Sequence, residues 1–326
     1  MTSRERVQLV LNNKKPDRLP FNFWMDRDKL EELDRRFGEN FRVSHYGADV
    51  IEAFPSQPFF AEFAKNAVGV NDGTTTWMTK YPVESVAELA NAAFFNPDDP
   101  ALYQQVKNTR AKYPDKAVFA LMVTPLDILF GTVGMEQLFC EFVDYADLIE
   151  ELAEKISQQQ CRIVEHAIHC DIDVLYLGGD ICSTKGSMMS NNQLRRFSLG
   201  PVKKLVDLAH EAGLKVFYHT DGYVMDILPL FVEYGFDGIN PLQSSVNNDP
   251  EVFMKEYGDK LMVYGGMDNC FIIPDGTTAD VKNHVEYLFQ TLGKNGRYIA
   301  SSHDIPSKVP LENIDIMVET IKNCKY

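Results

Sequence analysis

The sequence has no CxxC pair. Its six cysteines (Cys140, Cys161, Cys170, Cys182, Cys270 and Cys324) stand apart from one another, so their spacing marks neither a thiolate metal knuckle nor a redox dithiol. No apolar run approaches the roughly 18 residues of a membrane-spanning helix. The opening "MTSRERVQLVLNNKKPDRLPF" is charged and lacks the apolar core of a secretory signal. These absences predict a cytoplasmic protein with reduced thiols. Positive charge is also scarce: 32 Lys and Arg stand against 47 Asp and Glu, a formal net charge of −15. That balance argues against nucleic acid and against anionic membrane surfaces, both of which are bound by clustered cations. There is no Pro/Gly/Ser-rich linker, no low-complexity tract and no GxGxxG phosphate loop.

What is present is a rhythm. Short apolar runs alternate with amphipathic stretches of helical length. Candidate strands are "RLPFNFW" (18–24), "ADVIEAF" (48–54), "AVFALMV" (117–123), "DVLYLGGD" (173–180), "KVFYHTD" (215–221), "GFDGINPL" (235–242), "LMVYGGMD" (261–268) and "GRYIASSH" (296–303). Several are continuously apolar, as strands buried on both faces are. Residues 135–170 read as two helices. The segment 190–213 opens on Ser190 as a helix cap and closes on a glycine. Thr278 can cap 278–296, and Pro310 suits the first turn of 310–323. Strand–helix alternation at this spacing means right-handed βαβ units. Eight such strands favour a closed (β/α)8 TIM barrel with an N-terminal helical extension, one domain over 1–326. A doubly wound sheet is the alternative, and it lacks its phosphate loop.

Barrel chemistry collects at the C-terminal ends of the strands. In chain order those ends deliver Trp24, Met25 and Asp26; Thr124, Pro125 and Asp127; Asp180 after Gly178-Gly179; His219 and Asp221; Asn240 and Gln243; Asp268 after Gly265-Gly266; and His303 with Asp304. Both strand-end histidines arrive with a carboxylate beside them. The other five (His45, His166, His169, His210, His284) lie in helical or loop patterns, and the His166/His169 pair reads as a surface feature. Alternation puts residues 219 and 221 on one side of their strand. Two imidazoles and a carboxylate with an open position form the ligand set of many catalytic zinc and iron sites. The same groups also serve as a metal-free acid–base set. The residues alone leave both readings open. Each also has a plainer reading: a strand-end His is commonly a hydrogen-bonded structural residue, and Asp180 or Asp268 can simply cap a loop. Trp24, Phe54, Phe59, Phe60 and Tyr223 are candidates for an aromatic donor pocket, or for ordinary core packing.

Taken together, "TSRERVQLVLNNKKPDRLPFNFWMD", "YLGGD", "HTDG", "GINPLQ", "GGMDN" and "GRYIASSHDIPSKVPLENI" resemble the uroporphyrinogen decarboxylase-like superfamily over nearly the whole chain. The resemblance implies a (β/α)8 barrel with its site in the mouth. One branch of that superfamily decarboxylates a porphyrinogen without a cofactor, gripping its carboxylates with an Arg-rich segment after the first strand. Here that place reads "NFWMDRDKLEELDRRFG", where Arg27 is flanked by Asp26 and Asp28. The other branch transfers methyl groups to or from corrinoid proteins with the help of zinc. Its His-x-Cys pair and last-strand Cys correspond to His219, Asp221 and His303, so both thiolates give way to harder ligands. The resemblance therefore implies a methyltransferase that moves a methyl group from an O-methyl or similar donor to a separate corrinoid protein. Its expected catalytic set is Asp180, His219, Asp221 and His303, with zinc on the last three. Trp24, Asp26, Tyr223, Gln243 and Asp268 are the expected substrate contacts, and a homodimer is the expected assembly. The alternatives are a cofactor-free decarboxylase of a small carboxylic acid or porphyrinogen, and a non-catalytic binding barrel.

Overall fold

In the computed structural model, which describes residues 1–71 and 76–326, seven strands form one parallel sheet in chain order. They are β1 (Val50–Ala53), β2 (Ala117–Val123), β3 (Val174–Gly178), β4 (Lys215–His219), β5 (Gly238–Asn240), β6 (Met262–Met267) and β7 (Tyr298–Ser302). All seven fall inside the runs the sequence marks.

The eighth expected strand, 18–24, is irregular. It touches the sheet through the isolated bridges Phe21–Ala300 and Met25–Ile305. Two features keep it from forming a ladder. Pro20 has no N–H to donate, and the Phe21 N–H is taken by the Asp49 carboxylate at 3.0 Å. It still joins the two edges of the sheet. On one side Asn22 N–H donates to Ala300 O at 3.0 Å and Ala300 N–H to Pro20 O at 2.9 Å; on the other, Asp49 N–H donates to Phe21 O at 2.8 Å. The barrel is closed by this segment.

Strand alternation sorts the core into two parts. Val50, Phe119, Val174, Tyr176, Phe217, Met262, Tyr264 and Ile299 point inward and form one apolar cluster. Phe119 lies edge-on to Phe217 and Tyr264 at centroid distances of 5.8 and 5.3 Å, contacts worth about 0.5–1.5 kcal/mol each beyond their buried area. The intervening residues, such as Val118, Leu175, Val216 and Ala300, face outward into the larger cluster shared with the helices. The helix Ser3–Leu11 closes the floor by adding Val7, Val10 and Leu11 to the inner cluster. Its Arg6 pairs with buried Asp49 at 2.7 Å, and Arg18 meets the same carboxylate at 2.8 Å.

The expected helices form with small shifts at their ends. Residues 135–170 hold two, Met135–Asp144 and Ala146–Ile168. Ser190 caps the next with a reciprocal bond to Gln193, and that helix passes through a wide turn at Leu194–Leu199 before Gly200–Glu211. The widening lies beside Pro201, which lacks the N–H that a regular ladder needs there. Thr277, not Thr278, caps Thr278–Leu292, because Thr277 carries the extended backbone of a cap and shares a reciprocal bond with Asp280. Pro310 likewise takes the extended cap position, with helix Leu311–Asn323 starting one residue later.

Candidate active site in the barrel mouth

The site lies where β3, β4, β5 and β7 end. In the ladder, Gly178 pairs with His219 and His219 with Asn240, so these three residues stand at one level of the wall. The inward parity that aims Phe217 into the core also aims His219 into the mouth. Ile299, Ser301 and His303 follow the same alternation on the last strand. Gly179 lets the loop after β3 pass close to its neighbours: a Cβ there would meet Thr124 Oγ1 at 2.3 Å. Gly222 turns the chain just beyond Asp221 at φ +91°, where a Cβ would strike the Ser183 carbonyl at 2.4 Å.

The mouth opens into a cavity of about 320 Å³ lined by Trp24, Leu121, Val123, Asp127, Tyr176, Gly178, Gly179, Asp180, His219, His303 and Asp304. Trp24, Leu121, Val123 and Tyr176 supply its apolar wall. Three carboxylates and two imidazoles supply its polar one, and no Lys or Arg is among these lining residues.

The imidazoles of His219 and His303 lie stacked, with centroids 5.0 Å apart and planes at 29°. His303 Nδ1 is 3.5 Å from Asp221 Oδ2. His219 Nε2 is 3.9 Å from Asp180 Oδ1, which also accepts the Asp221 N–H at 3.1 Å. On its other side, His219 Nδ1 lies 2.7 Å from Asn240 Oδ1. Tyr176 donates its hydroxyl to the same Asn240 oxygen at 2.6 Å. Burial holds the Tyr176 hydroxyl far above its ordinary range, so it remains a donor. Burial also raises the Asp221 carboxyl, an effect partly offset by the two imidazoles. The Asp127 carboxyl is pushed up to about 6, first by burial and then by the nearby Asp180 charge.

The ligand atoms of His219, Asp221 and His303 lie within 4.8 Å of one another. Zinc–ligand bonds of about 2.0–2.2 Å in tetrahedral array put neighbouring ligand atoms about 3.4 Å apart, close to the His303–Asp221 separation. Asp221 Oδ1 is buried with no hydrogen-bond partner among the described residues. A buried carboxylate oxygen without a donor is costly unless a cation meets it. The donor set therefore fits a zinc ion.

The expected site residues divide into two groups. Trp24, Asp180, His219 and His303 line the cavity, with Asp221 in the same cluster. Four others are not among its lining residues. Asp26 accepts the Ser307 N–H at 2.9 Å. Gln243 accepts the Gly222 N–H at 3.0 Å and so pins the turn behind His219. Asp268 Oδ1 accepts the N–H groups of Cys270 and Phe271 at 2.9 and 2.7 Å, capping the turn after β6. Tyr223 is held by its N–H to Ser183 O at 2.9 Å and is not among the lining residues. Of the suggested aromatic pocket only Trp24 reaches the cavity. Phe54 faces solvent, while Phe59 and Phe60 pack against Phe94. His166 is bonded to Asp98 at the surface. Asp127 and Asn240 stand among the strand-end residues of the sequence but not in its expected catalytic or substrate sets, and Tyr176 was not singled out at all. For Tyr176 a signal existed: it shares strand parity with Gly178 and Asp180.

Residues 43–324 match the family model described as uroporphyrinogen decarboxylase (URO-D). The chain belongs to the URO-D family. No curated relative matches the sequence. Among solved structures, a methyltransferase from Methanosarcina mazei superposes with a TM-score of 0.76 at 16% identity, covering 99% of each chain. At that identity the likeness is one of fold. A sugar phosphate isomerase/epimerase from Parabacteroides distasonis is similar at a TM-score of 0.44 and 10% identity, over 93% of this chain and 94% of that one. A 3-keto-L-gulonate-6-phosphate decarboxylase from Vibrio cholerae gives 0.41 and 11%, over 95% and 100%. Within the URO-D fold, then, this member has a mouth with carboxylates and imidazoles and without basic side chains among its lining residues.

Proposed function

We propose that this URO-D family member is a zinc-assisted methyltransferase. It takes a methyl group from an O-methylated small molecule and passes it to a corrinoid carried by a partner protein. The observation that carries the reading is the His219–Asp221–His303 cluster, with an Asp221 oxygen that has no hydrogen-bond partner among the described residues, in a cavity with no Lys or Arg among its described lining residues. A polycarboxylate such as a porphyrinogen would meet like charges there. The Methanosarcina mazei methyltransferase supports the reading as a relative in fold.

His219, Asp221 and His303 would hold the metal. Zinc, when bound, supplies Lewis acidity toward an ether oxygen. The rest falls to the chain's own groups. Trp24, Leu121 and Val123 hold the organic part of the donor and exclude water. The methyl carbon–oxygen bond breaks and its electron pair stays on the oxygen. That oxygen takes a proton, and Asp127 is the group in the cavity whose carboxyl is held neutral to near pH 6. Asp180 fixes Asp221 through its N–H and faces His219 Nε2.

Metal analysis tests this reading. Protein purified without chelators should carry about one zinc, and a His219→Ala/His303→Ala double variant of unchanged circular dichroism should carry none. A metal-free wild type that releases carbon dioxide from carboxylic acids, indifferent to chelators, would overturn it in favour of a decarboxylase.

A further inference from the structure

We infer that Asn240 is a positioning residue that locks His219 in its Nδ1–H tautomer, and so makes Nε2 the atom that faces the ion and the substrate. The assignment follows from which groups can donate. Asn240 Nδ2 lies 2.5 Å from the main-chain carbonyl of Tyr264, which only accepts. The amide nitrogen must therefore point to β6 and the amide oxygen to His219, which fixes the orientation of the amide. An amide oxygen offers two lone pairs. One takes the Tyr176 hydroxyl at 2.6 Å; the other lies 2.7 Å from His219 Nδ1, and that contact is a hydrogen bond only if Nδ1 carries the proton.

Asn240 has little freedom to do otherwise. It is 2% exposed, and the β4–β5 register sets it directly beside His219. The Tyr176 hydroxyl is itself 3.3 Å from His219 Nδ1, so the imidazole edge is enclosed by two fixed groups. With Nδ1 protonated, neutral His219 presents the Nε2 lone pair to the mouth, where Asp180 Oδ1 stands 3.9 Å away. A hydrogen-bonded outer partner such as Asn240 orients a ligating imidazole and raises its basicity.

The consequence for metal binding rests on the proposed function, but the tautomer does not, and the two are measured separately. Nitrogen-15 NMR of histidine-labelled, metal-free protein above the histidine titration range reads the tautomer directly. The wild type should show His219 protonated at Nδ1. Asn240→Leu should lose that preference, and its zinc affinity, measured by competition with a chelating dye, should fall roughly 10–100-fold. Wild-type His219 protonated at Nε2 would overturn the inference without recourse to any variant. An Asn240→Leu protein that folds and keeps both the tautomer and the zinc affinity would also overturn it. A wild type with the expected tautomer and no zinc affinity would uphold the positioning role and overturn the metal-assisted function.

Discussion

Asp127→Asn isolates the proton donor by means of pH. In the fold, burial and the Asp180 charge push the Asp127 carboxyl up to about 6, whereas in the unfolded chain it titrates near the ordinary aspartate value of about 3.9. Between about pH 4 and 6 the native state holds a proton that the unfolded state has released, so stability falls as pH rises through that window and levels off above it. At about 1.36 kcal/mol per pH unit the gap amounts to about 3 kcal/mol. The asparagine variant keeps the shape and never ionises, so this part of the pH dependence should vanish. Urea unfolding of chelator-treated protein, followed by circular dichroism from pH 4 to 8, measures it. The stability of Asp127→Asn relative to wild type should rise by about 2 kcal/mol between pH 4, where the unfolded chain has already released half its proton, and pH 7, and then stay level. A difference that is flat with pH would refute the raised carboxyl, and with it the case for Asp127 as the acid. Methyl transfer by the variant should fall by about 10²–10⁴-fold, the usual contribution of a positioned acid.

Three further outcomes are expected. Asp221→Asn should weaken zinc binding, because it removes the carboxylate whose Oδ1 has no hydrogen-bond partner among the described residues; equilibrium dialysis reads the affinity. Neutral O-methyl donors should be turned over with higher kcat/KM than the same molecules bearing a carboxylate, since the described lining residues include carboxylates and no basic side chain; paired substrates under one assay decide it. Phe119→Ala removes the ring that links Phe217 and Tyr264 inside the barrel and should cost about 3–5 kcal/mol in urea unfolding.

What the sequence shows of this molecule, and what it hides, have one physical cause. Strand parity is written in the chain itself. Phe217, His219 and Asp221, or Ile299, Ser301 and His303, declare their side of the wall by counting in twos, so the sequence alone sets His219, Asp221 and His303 on the inner side. The same count passes through Tyr176, Gly178 and Asp180, so Tyr176 was readable too, though an apolar strand disguises it as core. Asp26, Gln243 and Asp268 sit past strand ends too, as Asp180 and Asp221 do, but there the loop overrides the count. There the side chain turns to whichever N–H groups the loop leaves unpaired: Ser307 for Asp26, Gly222 for Gln243, Cys270 and Phe271 for Asp268. The closing segment at 18–24 failed as a regular strand for a similar reason. A carboxylate from Asp49, 28 residues further along, competes for the Phe21 N–H that a ladder would use. Asp49 is itself held by Arg6 and Arg18 at the floor of the barrel. The pattern that locates a ligand in a barrel mouth is local. The bonds that tune it, such as Asn240 to His219, cross between strands and are fixed by a register that no single strand contains.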